Sequence, residues 1–170
     1  MDFLSLCRNR YSARQLSPEP VPEEMVNRIL EAGRLAPSAM NYQPVRILCI
    51  RSEEKMNLFR QTVHPCFGAS MVLVVCADKE VACHSERVHH NLAEMDATIA
   101  ATHMMLEATS LGLGCTWVCA FQYEGLRQSF PLPDSWEPYM ILPIGYKDAS
   151  CAPSPRHEQR NPLSSMVTFL

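Results

Sequence analysis

Seven consecutive residues, Met71-Val72-Leu73-Val74-Val75-Cys76-Ala77, carry no charged side chain or hydroxyl and are rich in β-branched types. Drawn out as a strand, this run turns apolar groups to both faces, so both faces need cover from other elements. A sheet with one wet face is excluded. The run demands a layered domain, with a sheet in the middle and helices on either side of it.

The flanking sequence supplies those layers. Residues 2 to 9 predict a first helix. Pro22, followed by Glu23 and Glu24 at the positive end of the dipole, opens a second, in which Met25, Ile29, Ala32 and Ala36 recur at helical spacing until Pro37 stops it. Val45 to Ile50 reads as a strand, and Ser52 caps a helix from residue 53 to about 63. From about Asn91 to Leu111 runs the longest helix, with Ala97, Ile99, Ala100, Ala101, Met104, Met105, Leu106 and Ala108 around most of its circumference. In a chain of 170 residues, so much apolar circumference calls for cover by a second subunit. Gly112 and Gly114 end that helix, and Cys115 to Phe121 reads as a strand. A short helix follows near residues 123 to 130, then a strand from Tyr139 to Tyr146. Its Pro143 cannot donate a ladder hydrogen bond, which places that end at an edge or bulge. Residues 151 to 162 are polar, with three prolines, and lead into the apolar Met166-Val167-Thr168-Phe169-Leu170. The whole, 1 to 170, reads as one domain with an extended arm from 151 to 170.

Composition removes several function classes. Fifteen basic and 18 acidic residues give a net charge of −3, and the cations outside the N-terminal region are scattered, so no broad basic face serves nucleic acid. No segment is apolar enough to span a membrane, and Asp2 stands where a secretory signal wants positive charge, so a cytoplasmic protein is expected. The eight cysteines form no CxxC pair; Cys49, Cys76, Cys115 and Cys119 lie in apolar runs and read as reduced, buried thiols. Cys83, His84, His89 and His90, with Glu86 and Glu94, match no strong metal-ligand spacing and read as a polar surface segment, so no metal is expected. His103 reads as a satisfied interior or interface histidine. Neither a GxGxxG turn nor a Walker-type loop occurs, so any nucleotide is held in another way.

Two short segments carry the chemistry. In Arg8-Asn9-Arg10-Tyr11-Ser12-Ala13-Arg14, arginines surround a serine, the set that can fork onto phosphate oxygens. In Ala36-Pro37-Ser38-Ala39-Met40-Asn41-Tyr42-Gln43-Pro44, two side-chain amides lie in a turn, and each offers a donor and an acceptor to the edge of a flat ring. Together they suit a phosphorylated aromatic cofactor. Taken singly, the first segment could be a solvated helix terminus and the second ordinary turn chemistry. No Ser-His-Asp or paired-carboxylate constellation accompanies them.

These residues resemble the nitroreductase family of FMN-dependent oxidoreductases. Arg10-Tyr11-Ser12-Ala13-Arg14 is similar to its phosphate-binding run and Ala36 to Pro44 to its most recognisable segment. Asp96 to Ala101, Leu111 to Trp117, Ile144-Gly145-Tyr146 and Arg160-Asn161-Pro162-Leu163 follow in the family's order. The resemblance implies an α+β fold, layered α/β/α, with a mixed, largely antiparallel central sheet flanked by helices, in an intertwined homodimer whose C-terminal arm reaches the partner. It implies that Arg10, Ser12 and Arg14, with Tyr11 in the same run, hold the FMN phosphate and ribityl end, joined by Arg160. Pro37, Ser38, Ala39 and Asn41, with Gln43 on the same turn, would reach the flavin held mainly by the other subunit. Backbone N–H groups around Val118, Cys119 and Ala120 would lie near flavin N5. The implied activity is ping-pong transfer of hydride from NAD(P)H through FMN to a small planar acceptor, a nitroaromatic or a quinone, with no catalytic side chain. Another flavin reaction of the same family, dehalogenation or flavin fragmentation, is the alternative, and a non-enzymatic FMN-binding or storage protein is a third reading. The chain departs from the family pattern at Glu158, where a second cation often precedes the tail arginine, at Ala120, where glycine is frequent, and at Ser70, where proline is frequent. Between Asp78 and Asn91 it has only a short stretch where larger relatives insert helices.

Overall fold

A computed structural model describes residues 2–84 and 90–170. Glu86 and His89 of the polar histidine segment lie outside the described residues. The elements are α1 (Phe3–Asn9), α2 (Glu23–Arg34), β1 (Val45–Ile50), α3 (Glu53–Thr62), β2 (Met71–Asp78), α4 (Ala93–Ser110), β3 (Gly114–Cys115), α5 (Tyr123–Ser129) and β4 (Trp136–Gly145). Short 3₁₀ turns lie at Ala39–Asn41 and Leu163–Ser165.

The strands pair in the order β1-β2-β4-β3, each antiparallel to its neighbour. The apolar run forms β2, in the interior of the sheet, and its side chains alternate as a pleat requires. Met71, Leu73, Val75 and Ala77 enter one core, under α2 and α4, with Ile29, Ala97, Ala101 and Met104. Val72, Val74 and Cys76 enter a second core on the other face, with Met56 and Phe59 of α3 and Leu126 of α5. Two helical layers thus enclose one sheet. The Ser52 side chain accepts from the Lys55 N–H and caps α3 as its sequence indicates.

Several elements differ from the sequence expectation. Helix α2 ends at Arg34, with Leu35 as its C-cap, ahead of Pro37, since the residue before a proline leaves the helical region. The strand expected from Cys115 to Phe121 shrinks to Gly114–Cys115, after which Val118 alone bridges to Ile141. Pro143 accounts for the gap. It lies in a strand with neighbours on both sides, and its carbonyl accepts from Thr116 N–H at 3.3 Å, so its missing N–H faces the stretch where pairing lapses. Among the described residues, the sheet's parallel component is a single bridge between Ser12 and Cys115. Helix α4 buries Ala93, Asp96, Ala97, Ala100, Ala101, Met104 and Ala108, but Met95 is 52% exposed and Ile99 and Leu106 are only half-buried. Its outer side lacks cover within one chain. His103 lies on that side, exposed, and its Nδ1 donates to the Ile99 carbonyl at 2.8 Å.

Candidate functional site

The segment from Arg10 to Leu16 runs extended along β3. The Ala13 N–H donates to the Cys115 carbonyl at 3.1 Å, and the Thr116 hydroxyl donates back to the Ala13 carbonyl. Gly114 permits the contact, because a Cβ there would come within 2.5 Å of Leu16 Cδ2 and 2.8 Å of Ala13 Cβ. Extended backbone alternates its side chains, so burying Ala13 turns Arg10, Ser12 and Arg14 the other way. They line a cleft of about 420 Å³ with Tyr11, Ser154, Arg156, His157 and Arg160. Among the described residues, neither Arg10 nor Arg14 has a hydrogen-bonding or ionic partner for its guanidinium, and Arg160 spends one donor on the neighbouring Gln159 carbonyl. Converging, unpaired guanidinium forks beside a hydroxyl are suited to a polyanionic oxygen group.

The arm supplies the far wall. A turn in which the His157 N–H donates to the Ser154 carbonyl at 2.7 Å swings Arg156 into the cleft, and His157 Nε2 donates to the Arg8 carbonyl at 2.9 Å, tying the arm to the end of α1. Sequence reasoning missed Arg156. Two residues before Arg160, where the family resemblance expects a second cation, stands Glu158, whereas the fold brings a cation into the cleft from four residues before. The turn-forming Ser154-Pro155 pair was the available signal. Tyr11 does a different job from its neighbours. Its hydroxyl donates to the Cys151 carbonyl at 3.2 Å, and its ring meets the His157 ring edge-on at 6.0 Å, so it fastens the arm to the cleft. Burial and the Cys151 contact push its phenol above the usual tyrosine range.

The second segment lies elsewhere. Met40, Asn41 and Gln43 have φ of 52°, 57° and 53°, left-handed conformations that cost on the order of 1 kcal/mol or more each outside glycine. Backbone bonds within the turn, Asn41 N–H to the Ser38 carbonyl and Tyr42 N–H to the Ala39 carbonyl, are joined by side-chain bonds. The Ser38 hydroxyl accepts from the Gln43 N–H at 2.9 Å, Arg46 Nη1 donates to the Gln43 carbonyl at 2.9 Å, and Asp96 Oδ1 on α4 accepts from the Ala39 N–H at 2.9 Å. Asn41, Gln43 and Pro37 remain exposed, with Ser38 and Ala39 half-buried behind them.

This turn and the arginine cleft do not meet in one chain. The turn precedes β1, one edge of the sheet, and packs near the start of α4. The cleft lies against β3, the other edge, just beyond the end of α4. Fourteen residues of helix between Asp96 and Ser110 put them on the order of 20 Å apart. Val118, Cys119 and Ala120 follow β3; Val118 is buried and its N–H donates to the Ile141 carbonyl at 3.1 Å, so of the three expected backbone donors it is not free, whereas Cys119 and Ala120 are exposed. The reading of Cys119 as a buried thiol is overturned. The chain leaves the ladder after Cys115, which turns Cys119 outward, where its Sγ receives the Trp117 Nε1–H at 3.1 Å. Cys76 and Cys115 are buried as expected, and burial pushes each thiol up to about 12. Cys49 is half-buried.

The model of the nitroreductase family matches residues 7–69 and 63–146. A protein of Methanothermobacter thermautotrophicus, provisionally named an NADH dehydrogenase/NAD(P)H nitroreductase, is 31% identical over 86% of this chain and 78% of its own. A solved nitroreductase family protein from Clostridium difficile superimposes with a TM-score of 0.91 at 35% identity, covering 99% of this chain and 98% of that one. A more distant solved structure, at 24% identity and TM-score 0.74, covers 87% of this chain and 77% of its own; it is described as an oxidoreductase containing FMN and shares the fold.

Proposed function

Since the chain belongs to the nitroreductase family, we propose that it is an NAD(P)H oxidoreductase built around FMN, which reduces a small planar acceptor, a nitroaromatic or a quinone, in alternating half-reactions. When bound, FMN supplies a two-electron carrier between NAD(P)H and that acceptor. The observation that carries the cofactor assignment is the cleft in which Arg10 and Arg14, unpaired among the described residues, converge with Ser12, Arg156 and Arg160. A monophosphate ester dianion fits that donor set. The exposed backbone at Cys119 and Ala120, beside the cleft's strand, offers N–H groups to the ring, while the Val118 N–H is spent on the Ile141 carbonyl.

The distance between the cleft and the Pro37 to Gln43 turn supports a homodimer. One chain's turn shares no lining residue with its own arginine cleft, and we assign Pro37, Ser38, Ala39, Asn41 and Gln43 to the flavin of the partner. Uncovered apolar side chains agree, namely Phe3 at 64% and Leu4 at 61% exposed on α1, Met95 on α4, and the tail residues Met166 at 83% and Phe169 at 91%. Among the described residues no helix is long and apolar enough to cross a membrane, which is compatible with activity in the cytoplasm.

Purified protein should be yellow or become so with added FMN. Anaerobic NADH or NADPH should bleach the colour, and nitroaromatic or quinone acceptors should restore it. Protein that takes up no FMN would overturn the flavin reading. Bound flavin that resists bleaching would overturn the oxidoreductase and leave a flavin-binding protein.

A further inference from the structure

We infer that Asp96, buried on α4, is the positioning residue that holds the strained Ser38–Gln43 turn in the form that meets the flavin. The inference rests on the assignment of that turn to the partner's cofactor. Of the hydrogen bonds on the turn, those of Asn41, Tyr42 and Gln43 to Ser38 and Ala39 lie within it, and the Arg46 bond comes from the start of β1, just after it. Among the described residues, the bond from Ala39 N–H to Asp96 Oδ1 ties the entry of the turn to α4, 57 residues away in sequence, while the other long-range bond, Asp78 N–H to the Pro44 carbonyl at 2.9 Å, holds the residue after it to β2. Asp96 is 2% exposed, and it lies on the buried side of α4 among Ala93, Ala97 and Ala100. The bonds within the turn can move with it and Arg46 holds its exit at β1, whereas Asp96 fixes its entry to α4.

Stability alone does not account for a carboxylate at this position. Its second oxygen, Oδ2, is buried and has no partner among the described residues. An unpaired buried carboxylate oxygen destabilises a fold, and a left-handed run of non-glycine residues destabilises it further. Two unfavourable features meet at one contact, on the segment that carries the exposed Asn41 and Gln43 amides. That combination marks a geometry imposed for recognition. The acceptor at Oδ1 is what the turn requires, and the charge is incidental to it.

The test compares Asp96→Asn with Asp96→Ala. Asn keeps an acceptor oxygen at the same position, while Ala removes it. Three readouts apply, namely amide hydrogen exchange over residues 36–44, FMN affinity from quenching of flavin fluorescence, and thermal melting. Asp96→Ala should lose exchange protection in the turn while β2 stays protected, and should bind FMN about tenfold more weakly. Asp96→Asn should keep the protection, bind FMN within about twofold of the parent, and melt at the same temperature or higher. Retained protection and affinity in Asp96→Ala would overturn the proposal, as would an Asp96→Asn protein as impaired as Asp96→Ala. If Asp96→Ala does not fold, the Asp96→Asn result decides alone. Should the parent bind no FMN, the flavin reading fails, while the exchange comparison still decides what Asp96 does to the turn.

Discussion

Arg156 is the residue on which the cleft's affinity can be tested most cleanly, because it is exposed on the arm and no packing depends on it. A hydrogen bond to a charged group contributes about 1.5–3 kcal/mol, so Arg156→Ala should weaken FMN binding by roughly 10- to 100-fold without moving the melting temperature. Fluorescence titration checks it, and raising salt should shrink the difference. The cysteines give a second prediction at this scale. With the native thiols of Cys76 and Cys115 held up at about 12, both stay protonated and unalkylated at pH 8, while exposed Cys119 reacts. Above the ordinary thiol pKa of about 9, the unfolded chain releases protons that the native chain retains, so unfolding gains ground as pH rises. Each thiol should lower stability by up to about 1.4 kcal/mol per pH unit in that window, and Cys76→Ala and Cys115→Ala should flatten the slope in urea melts between pH 8 and 10.5. The legibility of these residues differed for a physical reason. Arg10, Ser12 and Arg14 were readable because strand alternation puts every second side chain on one face. Arg156 and Cys119 were not, since each depends on where the chain bends away from a regular element.

Elements with a long apolar run or a clear cap were the legible ones, and β2, α3 and α4 stand within two residues of their sequence readings. Irregular pieces escaped. The loss of the strand after Cys115 follows from a proline on the facing strand, a pairing that local sequence does not carry. Helix packing shows the same dependence on partners distant in sequence and yields a comparison of two glycines. On α5, a Cβ at Gly125 would collide with the Thr62 carbonyl oxygen at the end of α3, a backbone atom that cannot step aside. On α2, a Cβ at Gly33 would come within 2.9 Å of Met104 Cγ and Sδ on α4, atoms of a flexible side chain. Alanine raises helix propensity by about 1 kcal/mol at either position. The collision at Gly125 should outweigh that gain, so Gly125→Ala is expected to destabilise by about 1–3 kcal/mol, while Gly33→Ala stays within about 1 kcal/mol of the parent. Denaturant midpoints at constant m-value check both.

At the scale of the molecule, the proposed function gives the arm two separable duties. Its first half, through Arg156, His157 and Arg160, completes an anion cleft within its own chain. Its end, with Leu163 at 69%, Met166 at 83%, Phe169 at 91% and Leu170 fully exposed, has nothing to pack against in that chain. Burying four such side chains would contribute about 6–12 kcal/mol gross, comparable with the estimated 4–15 kcal/mol that association costs in lost freedom. In the proposed homodimer the tail therefore contributes to association without being all of it, because α1 and the outer side of α4 present Phe3, Leu4 and Met95 as well. A chain ending at Pro162 keeps both arm arginines and separates the duties. It should bind inorganic phosphate at the cleft as the full chain does, yet its dimer should dissociate at least about a hundredfold more readily in sedimentation equilibrium. FMN affinity should fall with the dimer and recover at high protein concentration, because the partner's turn returns only when two chains meet. A truncated chain that dimerises unchanged would assign the interface to α1 and α4 alone. One that loses phosphate binding would show that the tail also steers Arg156 and Arg160, which would make the arm a single unit spanning cleft and interface.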